Sequence, residues 1–64
     1  MIDVGIVTND QMDTWHVIML RAMRTEYMVD WCNEYESDSK FGMGRSTFWF
    51  ENEQDASMFA LRWI

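Results

Sequence analysis

Residues 46–64, STFWFENEQDASMFALRWI, constrain the fold more than any other part of this chain, because they read as one strand running directly into one amphipathic helix. Side chains alternate with period two along a strand, so Phe48 and Phe50 share one face while Thr47, Trp49 and Glu51 share the other. Asn52 stands where a helix N-cap belongs, and Glu53 and Asp55 place negative charge on the first turn. Ala56, Phe59, Ala60 and Trp63 follow at i, i+3, i+4 and i+7, a single stripe that has to be buried. The expected core is therefore this stripe packed on Phe48 and Phe50, with Trp49 facing away from it.

A chain of 64 residues supports one domain, here 1–64, and buries only about 60% of its unfolded surface. Such a domain usually needs a staple. One cysteine, Cys32, cannot form an internal disulfide, and with the single histidine, His16, it cannot assemble a Cys/His zinc site. No cofactor or metal is expected, and association with a partner or a second copy becomes the expected reinforcement. A hydrophobic fraction of 48%, with four Trp, four Phe and seven Met, is too rich for a disordered chain.

A net charge of −6 disfavours both a sequence-independent grip on phosphate backbones and adhesion to anionic membranes. No apolar run is long enough for a membrane span, and no basic start precedes an apolar stretch as in a signal peptide. These features give the expectation of a cytoplasmic protein, in keeping with one unpaired thiol.

Ile2, Val4 and Ile6 alternate with polar or small residues, which predicts a first strand over 2–6. Thr8 and Gln11 form a capping-box pair, and Met12, Trp15, Met19, Ala22 and Met23 then recur at helical spacing, which predicts a helix from Thr8 to about residue 24. Continuing that phase would bury Glu26 and Asp30 and expose Tyr27, Met28 and Trp31. Period two instead aligns Tyr27, Val29 and Trp31, so 25–32 reads as a second strand, with one long helix to Tyr35 as the competing reading. Residues 33–45 hold the clustered Asn, Ser, Asp and Gly of a loop.

The resulting order, βαββα, resembles the ferredoxin-like βαββαβ pattern without its last strand: an α+β domain with an antiparallel sheet and two helices on one face. Its last unit resembles the third strand and second helix of an RNA recognition motif, with Phe48, Phe50, Asp55 and Ala56 at the family's spacing. That family's stacking aromatics would fall at Arg45 and Thr47, and neither is aromatic, so the resemblance implies fold and not RNA binding. The phrase FWFENEQDASMFALRW is also similar to the closing strand and helix of small uncharacterised proteins of tailed bacteriophages, including those of marine cyanobacteria. That likeness implies an accessory protein of the host cytoplasm or a component of the virion, and no particular activity.

No catalytic group stands out. His16 beside Met12 and Met19 is more often a half-buried structural imidazole than a general base. Cys32 sits between Asp30 and Glu34, which raise a thiol's pKa instead of activating it. Glu26, Asp30, Glu34, Glu36 and Asp38 place five acids in thirteen residues, either a solvated face or a mimic of a phosphate row that would occupy a nucleic-acid-binding protein. They lack the alternating Asp and closing Gly of a calcium loop. Aromatic surplus is the remaining signal: on the uncovered side of the sheet, Trp49 with Thr47, Tyr27 and Trp31 predicts an adhesive face. The expected function is thus a non-enzymatic protein-binding module that homodimerises or docks on a larger protein. A strand edge left open by the missing last strand adds a second contact.

Overall fold

The computed structural model describes all 64 residues. Its elements are β1 (Ile2–Asp3), α1 (Asn9–Met12), β2 (His16–Met19), α2 (Glu26–Glu34), β3 (Lys40–Met43), β4 (Thr47–Phe50) and α3 (Glu53–Trp63). The four strands form one open mixed sheet in the order β1-β3-β4-β2. β1 runs parallel to β3, while β4 is antiparallel to both β3 and β2. The protein is a small α+β fold.

The closing strand and helix form as their residues dictate. Phe48 and Phe50 have no exposed surface, and Phe59 of α3 packs against both with tilted rings, centroids 4.7 and 5.1 Å away. The Asn52 side chain accepts from the Gln54 N–H at 2.8 Å, which satisfies one of the donors a helix start leaves free. Phe41 of β3, Cys32 of α2, Ala56 and Met1 complete a single core cluster, with Trp31 and Trp63 packed at its margin.

Residues 13–24 do not continue the helix predicted from Thr8. The capping pair forms, since the Gln11 side chain accepts from the Thr8 N–H at 2.9 Å, but α1 is one turn long. His16 to Met19 then pair with Phe50 to Thr47 as an edge strand. An isolated helix of this length is marginal in water, and the β-branched pair Val17 and Ile18 favours a strand. Pairing also gives β4 a second neighbour and places Ile18 on the core.

The second strand predicted over 25–32 is a helix, and it is not a continuation of the first. Thr25 caps it, its hydroxyl accepting from the Met28 N–H at 3.4 Å. With the phase reset at Thr25, Met28, Val29, Trp31, Cys32 and Tyr35 fall on one inward stripe, and the conflict that argued against helix disappears. The Met1 ammonium donates to the carbonyls of Cys32 at 3.1 Å and Tyr35 at 2.6 Å, placing a cation on the free carbonyls at the end of α2.

Residues 33–45 contain β3 as well as a loop, and the sheet is mixed where an antiparallel one was expected. Two helices do share the core face, α2 and α3, the first of them formed from the segment read as a strand.

Candidate functional site

The face of the sheet away from α2 and α3 carries Gly42, Trp49, Thr47, Val17 and Met19, by alternation from the buried Phe41, Phe48 and Phe50. Its β3 half is covered. Gly5 adopts φ 68°, a conformation that suits glycine, and turns the chain so that Val7 crosses the sheet, where it is only 2% exposed. A Cβ at position 42 would collide with Val7 Cγ2, so Gly42 is the position that admits this crossing.

The β4–β2 half is open. Trp49 is half-buried and pairs across the strands with Gly42 on one side and Val17 on the other. Its ring reaches the hairpin end, with Cζ3 3.3 Å from where a Cβ of Gly44 would stand. Val17 and Met19 are 51% and 75% exposed, and Thr47, opposite Met19, is half-buried. An aromatic flanked by exposed aliphatic and thioether side chains is the composition of a protein contact surface.

Tyr27 and Trp31 are not part of that face, because α2 carries them elsewhere. Trp31 turns inward, stacked on Tyr35 at 4.8 Å and edge-on to Phe59 at 5.8 Å, while Tyr27 is 76% exposed on α2. Two residues missed by sequence reasoning, Val17 and Met19, take their place. Val17 with Ile18 was the available signal, a β-branched pair inside a stretch read as helix.

The five acids separate. Glu26, Asp30 and Glu34 are exposed at i, i+4 and i+8 on α2, a row with about 6 Å between neighbours. Glu36 and Asp38 lie exposed in the following loop. Glu26 and Asp30 also line an open cleft of about 710 Å³ with Asp3, Arg24 and Arg45, so two cations partly offset three acids at this end of the row. A second cleft of about 380 Å³ is bounded mainly by apolar residues, among them Leu20, Ala22, Met28 and Trp63, with Arg21 at its wall.

Cys32 and His16 lie in opposite settings, one in the core and one at the edge of the sheet. Cys32 has no exposed surface, and its thiol is pushed up to about 12, chiefly by burial. The Met1 ammonium lowers it, and Asp3 and Asp55, not Asp30 and Glu34, are the acids that raise it. His16 starts the exposed edge strand and does not lie half-buried on a helix. The one buried acid, Asp55, accepts from the Ser37 hydroxyl at 2.8 Å, and that hydroxyl accepts from the Ser39 N–H at 3.1 Å. This network ties the loop before β3 to the first turn of α3. No helix is long and apolar enough to cross a membrane.

No protein-family model matches the chain, and no curated protein or solved structure matches it either.

Proposed function

We propose that this protein is a non-enzymatic binding module that docks on a larger protein through the open half of its outer sheet face. One observation carries the proposal: Trp49 stands half-buried in mid-sheet on the face opposite α2 and α3, next to exposed Val17 and Met19. Buried aromatic anchors dominate contact energies, and truncating one costs at least about 2 kcal/mol, or about 30-fold in affinity. The immobilised chain should retain specific proteins from an extract of its natural host. Trp49→Ala should lose them, and Leu61→Ala, an exposed change on the far side of α3, should keep them. Identical retention by wild type and Trp49→Ala would remove the proposal.

The acidic row of α2 supports a second function, a mimic of nucleic acid that occupies a basic host protein. The even spacing of Glu26, Asp30 and Glu34 favours it, and the nearby Arg24 and Arg45 weigh against it. Salt separates the two, since release by salt marks the acidic row while an apolar sheet contact persists.

The setting we propose is a tailed bacteriophage, with the module acting as a host-cytoplasmic accessory protein or as part of the virion. The similarity of FWFENEQDASMFALRW to such proteins supports it. Kinship with ferredoxin-like folds is proposed for the β4–α3 unit alone, on the spacing of Phe48, Phe50, Asp55 and Ala56.

A further inference from the structure

The two edges of the sheet differ in how they meet solvent. β1 is two residues long, its Asp3 carboxylate accepts from the Gly5 N–H at 2.7 Å, and after a last bond from the Met43 N–H to the Gly5 carbonyl the chain turns at Gly5. Shortness and an edge acid are the usual protections against unwanted strand pairing. β2 has neither: its sequence is His-Val-Ile-Met, without an acid, a lysine, a proline or a bulge, and three of its four residues are exposed.

The ladder fixes which backbone groups of β2 are free. Leu20 N–H donates to Ser46 O at 2.8 Å, so, by the alternation of antiparallel pairing, His16 and Ile18 direct their N–H and C=O groups to β4. Val17 and Met19 direct theirs outward. The edge therefore offers unpaired backbone at the two residues that also expose apolar side chains on the outer face.

Charge selects the occupant. Asp13 lies four residues before Val17 and Arg21 four residues after it, and both are exposed. Glu51, next to the Phe50 that pairs with His16, adds an acid at the starting end of β2. Arg45 and Arg24, joined by the bond from Arg24 N–H to Arg45 O at 2.9 Å, add cations at the finishing end. A strand acidic at one end and basic at the other complements itself when antiparallel and repels itself when parallel.

We propose that β2 pairs antiparallel with β2 of a second copy, centred on Val17, to join the two sheets into one of eight strands. Val17 exchanges both ladder bonds with its counterpart, the Met19 N–H donates to the Trp15 C=O of the other copy, and the acidic end of each β2, preceded by Asp13, lies beside the basic end of the other, followed by Arg21. The axis is a twofold, so the contact closes at a dimer. The two open faces, each with Trp49, Val17 and Met19, become continuous. The dimer adds a contact to the docking face and is tested apart from it.

Solution mass across a concentration series is the test, with Val17→Pro as the first variant. Position 17 directs its N–H away from β4, so proline spares the internal ladder and removes the intermolecular donor. Wild type should be a dimer and Val17→Pro a folded monomer by circular dichroism, while Trp49→Ala stays dimeric. Should Val17→Pro fail to fold, charge reversal replaces it: Arg21→Glu should weaken the dimer about tenfold, and Asp13→Arg combined with Arg21→Glu should restore it. The proposal is overturned by a wild type still monomeric at about 1 mM, where specific association has run out. It is equally overturned by a dimer indifferent to Val17→Pro and to charge reversal. A dimer lost in Trp49→Ala alone would mean face-to-face pairing, which sinks the edge contact and leaves the docking face standing. An edge dimer whose retained proteins do not depend on Trp49 would do the reverse.

Discussion

At Cys32 the thiol is enclosed by Phe41, Phe59 and the rest of the core cluster, and burial outweighs the nearby Met1 ammonium in setting its acidity. The sign of the consequence follows from proton counting. Burial raises the thiol from its ordinary 9.0 to about 12 in the folded state, so between these values the folded state holds a proton that the unfolded state has lost. Stability contributed by this group is constant below pH 9 and falls as pH rises toward 12. Denaturant melts of wild type and Cys32→Ala from pH 8 to 11 should show the wild type losing more stability with pH, and the difference between their slopes isolates the thiol. Sequence alone anticipated an inert cysteine from Asp30 and Glu34, its neighbours in the chain. The acids that act on it, Asp3 and Asp55, come from β1 and α3, which no reading of adjacent residues could supply.

Among the elements, the one-turn α1 and the strand after it carry the main lesson. Thr8 and Gln11 announce a helix start correctly, but a cap specifies a beginning and not a length. Where the chain leaves the helix is decided by β4, whose second edge recruits His16 to Met19. Thr25 was a legible cap for α2, and continuing the phase of the preceding segment hid it. The crossing of Val7 over Gly42 is testable at this scale, since it ties the β1–α1 connection to β3. Gly42→Ala should cost about 1–3 kcal/mol by overpacking. Adding Val7→Ala, which vacates the colliding Cγ2, should recover part of the loss in the same denaturant titration. Independent, additive penalties would show that the crossing does not hold the two together.

For the whole molecule, stability rests on few residues. Only ten of 64 are buried, and Phe59 alone contacts the rings of Trp31, Phe48, Phe50 and Trp63. A chain of this length has about 3–10 kcal/mol of stability, and truncating a central aromatic removes about 3–5. Phe59→Ala should therefore lose near-ultraviolet dichroism and its cooperative melt at room temperature, whereas Leu61→Ala, 80% exposed one turn-position away, should melt as wild type does.

Local residue order determined the 47–63 strand–helix unit, the inward Phe48, Phe50 and Phe59, the outward Trp49 and the Asn52 cap, because each follows from a period or a cap within a few residues. Tertiary structure decided the rest: that 16–19 is strand and 26–34 helix, that β1 lies parallel to β3, and that Val17 and Met19, not Tyr27 and Trp31, accompany Trp49. Short amphipathic segments satisfy both periods nearly equally, and their own propensities differ by less than the gain from pairing with β4 or packing on Phe59. The choice between helix and strand was therefore made by the neighbour and not by the segment.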